Sequence, residues 1–137
     1  MQSDLINNRD RAKQILAFDG MQYEKCRPTD IDFSLDFQGN VFIMGELKGQ
    51  GAPLTLGQKI HLEGLVKAIR KGGKDAYAIL AHHDTPNTSH DVRVSEATVF
   101  SVYDGVTWDR KTVTVDQFIK KVHNEYLEER AAWAPRK

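Results

Sequence analysis

The chain has 137 residues, 40% of them hydrophobic and 28% charged, with 19 basic against 19 acidic side chains and one cysteine. That balance is expected of one soluble globular domain, 1–137, large enough for a real core, and net neutrality argues against a general nucleic-acid-binding protein. No apolar run approaches the ~20 residues of a membrane span, and the polar start MQSDLINNRDR lacks a signal-peptide core. Lone Cys26 excludes an internal disulfide and a multi-cysteine zinc site, fits a reducing cytoplasm, and has no neighbour that marks an activated thiol.

Ser3 is placed to cap a first helix running to Phe18, with Leu5, Ala12 and Leu16 on one face, and Asp19-Gly20 ends it. A linker from Met21 to Arg27 leads to Pro28–Lys48, PTDIDFSLDFQGNVFIMGELK, which reads as two alternating strands. Ile31, Phe33, Leu35 and Phe37 form one row and Asp30, Asp32, Ser34 and Asp36 the other. On the second strand Val41, Ile43, Gly45 and Leu47 alternate with Phe42, Met44, Glu46 and Lys48. A three-residue loop, Gln38-Gly39-Asn40, sets Phe37 opposite Val41, Leu35 opposite Ile43, Phe33 opposite Gly45 and Ile31 opposite Leu47. The same register sets Asp32 opposite Glu46 and Asp30 opposite Lys48, whereas a two-residue loop mixes charge into the apolar row.

Two carboxylates and a lysine on one hairpin face have a definite chemistry. A hard divalent cation takes oxygen ligands and keeps several waters, so one or two carboxylates beside an incoming phosphate suffice for Mg²⁺. A neighbouring lysine can orient or deprotonate a metal-activated water and offset charge building on phosphorus. This is the equipment of metal-assisted phosphodiester hydrolysis.

After these residues comes the flexible Gly49-Gln50-Gly51-Ala52-Pro53, whose spacing is not that of a phosphate-binding P-loop. A helix is expected from Thr55 to Lys71, with Leu62, Leu65, Val66 and Ile69 at core spacing. Gln58 lies on that apolar side and needs a partner, either at the carboxylates or in the backbone of the helix start. Residues 56 to 74 carry Lys59, Lys67, Arg70, Lys71 and Lys74 against Glu63, a surplus able to track phosphates or simply to be solvated; of these, Lys59, Lys67 and Arg70 are the candidate nucleic-acid contacts.

Gly72-Gly73 stops the helix, and Ala76–Ala81 is a buried strand, expected to run parallel to the Glu46 strand. His82, His83 and Asp84 follow, but adjacent strand histidines point to opposite faces and His90 lies in a polar loop, so a structural transition-metal site is not the favoured reading. Val92–Tyr103 reads as a further strand and Asp104-Gly105 as a turn into Val106-Thr107-Trp108, while Asp109–Thr114 is polar enough for a short strand or a loop. A last helix, Val115–Arg130, turns Phe118, Ile119, Val122 and Tyr126 inward, and Ala131–Lys137 is a frayed tail unless Trp133 docks.

Pro28-Thr29-Asp30-Ile31-Asp32, followed after a hairpin by Glu46-Leu47-Lys48, resembles the PD-(D/E)XK nuclease superfamily, the restriction-endonuclease-like fold found in Holliday junction resolvases, RecB-type domains and many phage nucleases. The resemblance implies an α/β fold with a mixed central sheet flanked by helices. It also implies Mg²⁺ or Mn²⁺ held by Asp32 and Glu46, with Asp30 as runner-up ligand, and a Lys48 that assists the attacking water. Gln58 is similar in position to a glutamine that several branches place after their Glu-x-Lys, and Glu24 falls where some members supply a further carboxylate. Thr29, separating Pro28 from Asp30, is a departure from the pattern. The implied partner is DNA, recognised by backbone, shape or ends, with a homodimer able to supply two sites and a phage or mobile-element source compatible. The alternative is a nuclease-fold protein that binds or inhibits without cutting.

Overall fold

The computed structural model describes residues 14–49, 52, 55–86 and 89–133. The chain divides into two compact units, Met1–Asp30 and Ile31–Lys137. In the first, Met21 N donates to Phe18 O across a turn in which Gly20 takes φ +77°, and Tyr23 and Cys26 form a small antiparallel bridge with Glu24 at φ 61°. The helix expected from Ser3 lies outside the described residues up to residue 13, and residues 14–18 have no regular structure.

The second unit is α/β. Strands β1 (Phe33–Phe37), β2 (Val41–Gly49), β3 (Asp75–His83), β4 (Thr98–Tyr103) and β5 (Trp108–Thr114) form one sheet in the order β1-β2-β3-β4-β5. Helix α1 (Leu56–Lys71) links β2 to β3, and α2 (Val115–Trp133) follows β5. Only β2 and β3 are parallel, paired from Val41 with Asp75 to Gly49 with His83; the other neighbours are antiparallel. The helices lie on opposite faces. On one, Leu62 and Val66 of α1 pack with Met44, Ala76, Ala78, Leu80 and Tyr103; on the other, Val115, Phe118, Val122 and Tyr126 of α2 pack with Val41, Ile43, Ile79, Val99 and Val102. Among the described residues, no helix is long and apolar enough to cross a membrane.

The hairpin register is the expected one, Phe37 with Val41, Leu35 with Ile43 and Phe33 with Gly45. Its turn has φ of 56° at Gln38 and 75° at Gly39, with Asn40 N donating to Phe37 O. Those are the signs of a type I′ turn, and Asn40 is the one residue in excess before Val41 pairs. Asp36 Oδ1 steadies it by accepting from Gly39 N.

Two expectations are corrected. Ile31 does not continue the Phe33 row opposite Leu47; the chain bends at Asp32, and Ile31 packs on the α1 face instead. Strand β4 starts at Thr98 rather than near Val92, since Val94–Glu96 coils into one 3₁₀ turn closed by Ala97 N to Val94 O. The polar stretch after Trp108 is strand β5, with Asp109, Arg110, Lys111 and Thr112 exposed along a sheet edge, where charge discourages pairing with another chain. Trp133 is the last residue of α2, and the docking of its side chain lies outside what is described.

Gly45 is buried because the Phe33 ring lies where its side chain would be, and a Cβ there would run into the ring. Gly45→Ala is therefore expected to lower stability by about 1–3 kcal/mol, and Phe33→Leu in the same chain to recover part of it, read by urea unfolding. In the β4–β5 turn, Thr107 N and Val106 N both donate to Asp104 Oδ1, at 3.0 and 2.9 Å, and hold its carboxyl below the ordinary value. The stabilisation is present above the ordinary carboxylate range and is lost as pH falls through the lowered value. Carbon-detected NMR titration should find Asp104 below its ordinary value, and Asp104→Ala should flatten the acid limb of the stability curve.

Candidate active site

Alternation along β2 sends Met44, Glu46 and Lys48 to the α1 face. Glu46 is only 3% exposed, and a carboxylate so enclosed demands donors. Gln58 Nε2 donates to Glu46 Oε1 at 2.8 Å, and Lys48 Nζ stands 3.9 Å from the same oxygen.

Gln58 can supply that donor because its other end is fixed. Thr55 is the N-cap of α1: its Oγ1 accepts from Gln58 N at 3.2 Å, while Gln58 Oε1 accepts from Thr55 N at 3.3 Å and Thr55 Oγ1 at 3.1 Å. This reciprocal capping box uses the amide oxygen, so the amide nitrogen turns to Glu46. Both partners expected for Gln58, helix backbone and carboxylate, are present at once. The Thr55-x-x-Gln58 spacing is the sequence signal for the first of them.

Asp32 reaches the site by another route. Its Oδ2 accepts from Leu47 N at 2.6 Å, capping the β1–β2 ladder one residue beyond its last pair, Phe33 with Gly45. The Asp32 carboxylate is thereby tied to the residue between Glu46 and Lys48. Asp30 is exposed and belongs to the first unit, as does Glu24, whose carbonyl accepts from Gln22 Nε2.

The candidate phosphate contacts divide. Lys67 is exposed. Lys59 sits with Nζ 5.3 Å from the centre of the Trp108 ring, whose Nε1 donates to Glu63 at 2.5 Å. Arg70 Nε donates to Ala76 O at 2.8 Å, and its guanidinium lies 3.7 Å from Asp75 and 4.9 Å from the Tyr77 ring centre. Twelve residues of helix, roughly 18 Å, separate it from Gln58, so Arg70 fastens the far end of α1 to β3. A cleft of about 1190 Å³ also lies at that far end, lined by Asn40, Lys74, Tyr126 and Arg130. The polar chemistry near Glu46, rather than cleft size, marks the candidate site.

Among the described residues, no group of three or more His, Cys, Asp or Glu side chains is placed to hold a metal ion. A site for a hard divalent cation needs fewer, because substrate phosphate and water complete the shell. Asp32 and Glu46 are oxygen donors of the kind such a cation takes: one carboxylate just before the start of β1 and one near the end of β2, with a lysine beside the second.

One side chain was not associated with these residues by sequence. His82 is the register partner of Lys48 on β3 and therefore shares its face. The two lie far apart along the chain, and only the parallel pairing of β2 with β3 brings them side by side.

Comparison with protein-family models, curated proteins and solved structures gives no match.

The Glu46–Gln58 contact is testable by itself. Gln58→Leu removes the donor and the capping box together and is expected to cost about 1–3 kcal/mol. Adding Glu46→Leu should return a large part of this, giving a coupling energy of about 0.5–3 kcal/mol in a denaturant double-mutant cycle.

Proposed function

We propose that the chain is a divalent-metal-dependent nuclease that hydrolyses phosphodiester bonds in DNA, a small member of the PD-(D/E)XK superfamily. The observation that carries this reading is the enclosed Glu46 carboxylate, with Lys48 and Gln58 on its Oε1 and Asp32 locked to the intervening Leu47. Burial of a carboxylate is costly, and here the buried carboxylate stands beside an amine and an amide near the end of β2.

Asp32 and Glu46 would hold the Mg²⁺ or Mn²⁺, which polarises the phosphoryl oxygen and makes bound water a better nucleophile. Lys48 aligns the attacking water and offsets negative charge as the phosphorus becomes five-coordinate. Gln58, with its oxygen spent on Thr55, offers only N–H donors: one fixes the Glu46 carboxylate, and the other would donate to the attacking water. Lys67 on α1 is free to meet a neighbouring phosphate.

Linear, circular, branched and single-stranded DNA and RNA incubated with Mg²⁺ or Mn²⁺ test this. Wild type is expected to cut DNA, and Glu46→Ala and Asp32→Ala to lose at least about 100-fold, since even residues supporting metal ligands are worth 10–100-fold; chelator should abolish cutting. Folded wild-type protein that cuts nothing would instead support the same face as a binding or inhibitory surface without chemistry.

A further inference from the structure

We propose that His82 is a further catalytic residue of this site, the proton donor to the oxygen that leaves phosphorus; this rests on the nuclease reading above. The position follows from the sheet. Asp32 lies on the β1 side of Glu46 and Lys48, and His82 lies on the β3 side, in register with Lys48. Neighbouring strands are about 4.8 Å apart, so Asp32 and His82 flank the Glu46–Lys48 row of β2 from opposite sides. In an in-line displacement the attacking and leaving oxygens also lie on opposite sides of phosphorus. A phosphate over Lys48, with its water on the carboxylate side, turns its leaving oxygen toward His82.

A second observation concerns how the ring is held. The His82 imidazole stacks on Phe100, with ring centres 5.6 Å apart and planes at 21°. Phe100 is there because of an irregularity in β4. Leu80 pairs with Ser101 while the next residue, Ala81, pairs with Val99, so Phe100 is one residue in excess and belongs to the α1-face cluster. Such bulges re-aim side chains and are frequent beside active sites. Stacking fixes the ring plane without using either nitrogen, and no described residue takes a hydrogen bond from His82. Its other strand neighbour, Thr98, is uncharged, so Lys48 is the charged side chain beside it in the register.

The step balances. A water oxygen bonds to phosphorus and releases its proton to solvent. The bond from phosphorus to the leaving oxygen breaks with its electron pair on that oxygen, which takes the proton of the His82 imidazolium. The neutral ring regains a proton from solvent.

The test compares wild type, His82→Gln and His82→Phe, the last keeping an aromatic ring over Phe100. Each is assayed on an all-oxygen DNA and on the same DNA with sulfur replacing the leaving oxygen, in Mn²⁺. Sulfur leaves as a thiolate and needs no proton. Both variants are expected to lose about 100-fold or more on the oxygen substrate and less than about tenfold on the sulfur one. Equal losses on the two substrates, or none on either, would overturn the proton-donor role while leaving the nuclease reading standing. Wild type that cuts neither DNA would bring down the nuclease reading and this inference together. As a readout independent of turnover, uncut DNA added to Glu46→Ala protein should shift the His82 ring resonances, and unmoved resonances would count against contact.

Discussion

The parallel pairing of β2 with β3 is the constraint on which the rest depends. Parallel neighbours cannot be joined by a tight turn, so the chain must cross over the sheet, and α1 is that crossover. A helix that returns along the sheet begins where β2 ends. Its capped first turn is thereby delivered next to Glu46, while its last turn is pinned to Ala76 and Asp75 by Arg70. Lys48 and His82 become neighbours for the same reason, since each is the last residue but one of its strand at the same end of the sheet. Local preferences at Thr55 and Gln58 complete what the topology begins.

Placing a carboxylate where Glu46 lies works against stability. A buried ionic group is often no better for folding than a well-packed apolar one, and this one is tolerated because an amide and an amine converge on it. Around it the packing is conventional: Ile43, Ile79, Val66 and Leu62 are fully buried on the two faces. The polar cluster is thus a local exception inside an otherwise apolar core among the described residues, and local breaks of the folding rules are where a functional site is sought.

Much of this arrangement was legible in the sequence. The hairpin register followed from period-two alternation, which a one-residue slip would invert, and the two helices followed from apolar residues at helical spacing. The parallel neighbour of β2 followed from the strand-helix-strand order. What was not legible depends on side chains that override local pattern. Asp32 takes the Leu47 amide and bends the chain, so Ile31 leaves the row its alternation assigns it. Phe100 is an extra residue in β4, and no alternation rule locates a bulge. His82 could be matched with Lys48 only once the strand register was known, because side-chain alternation says which histidine faces which way but not what stands opposite.

The Asp32 bond to Leu47 also bears on how the site comes into being. It closes within the hairpin, whose strands are joined by a tight turn and whose formation is a microsecond event in isolated hairpins. The parallel pairing with β3 must wait for the whole crossover helix, and such non-local contacts form late because loop closure precedes their reward. Asp32, Glu46 and Lys48 are therefore gathered early, on a segment that folds around its own turn. The Gln58 amide and the His82 ring arrive later, with the crossover. The two halves of the site are therefore expected to assemble at different times in folding, the half contributed by α1 and β3 second.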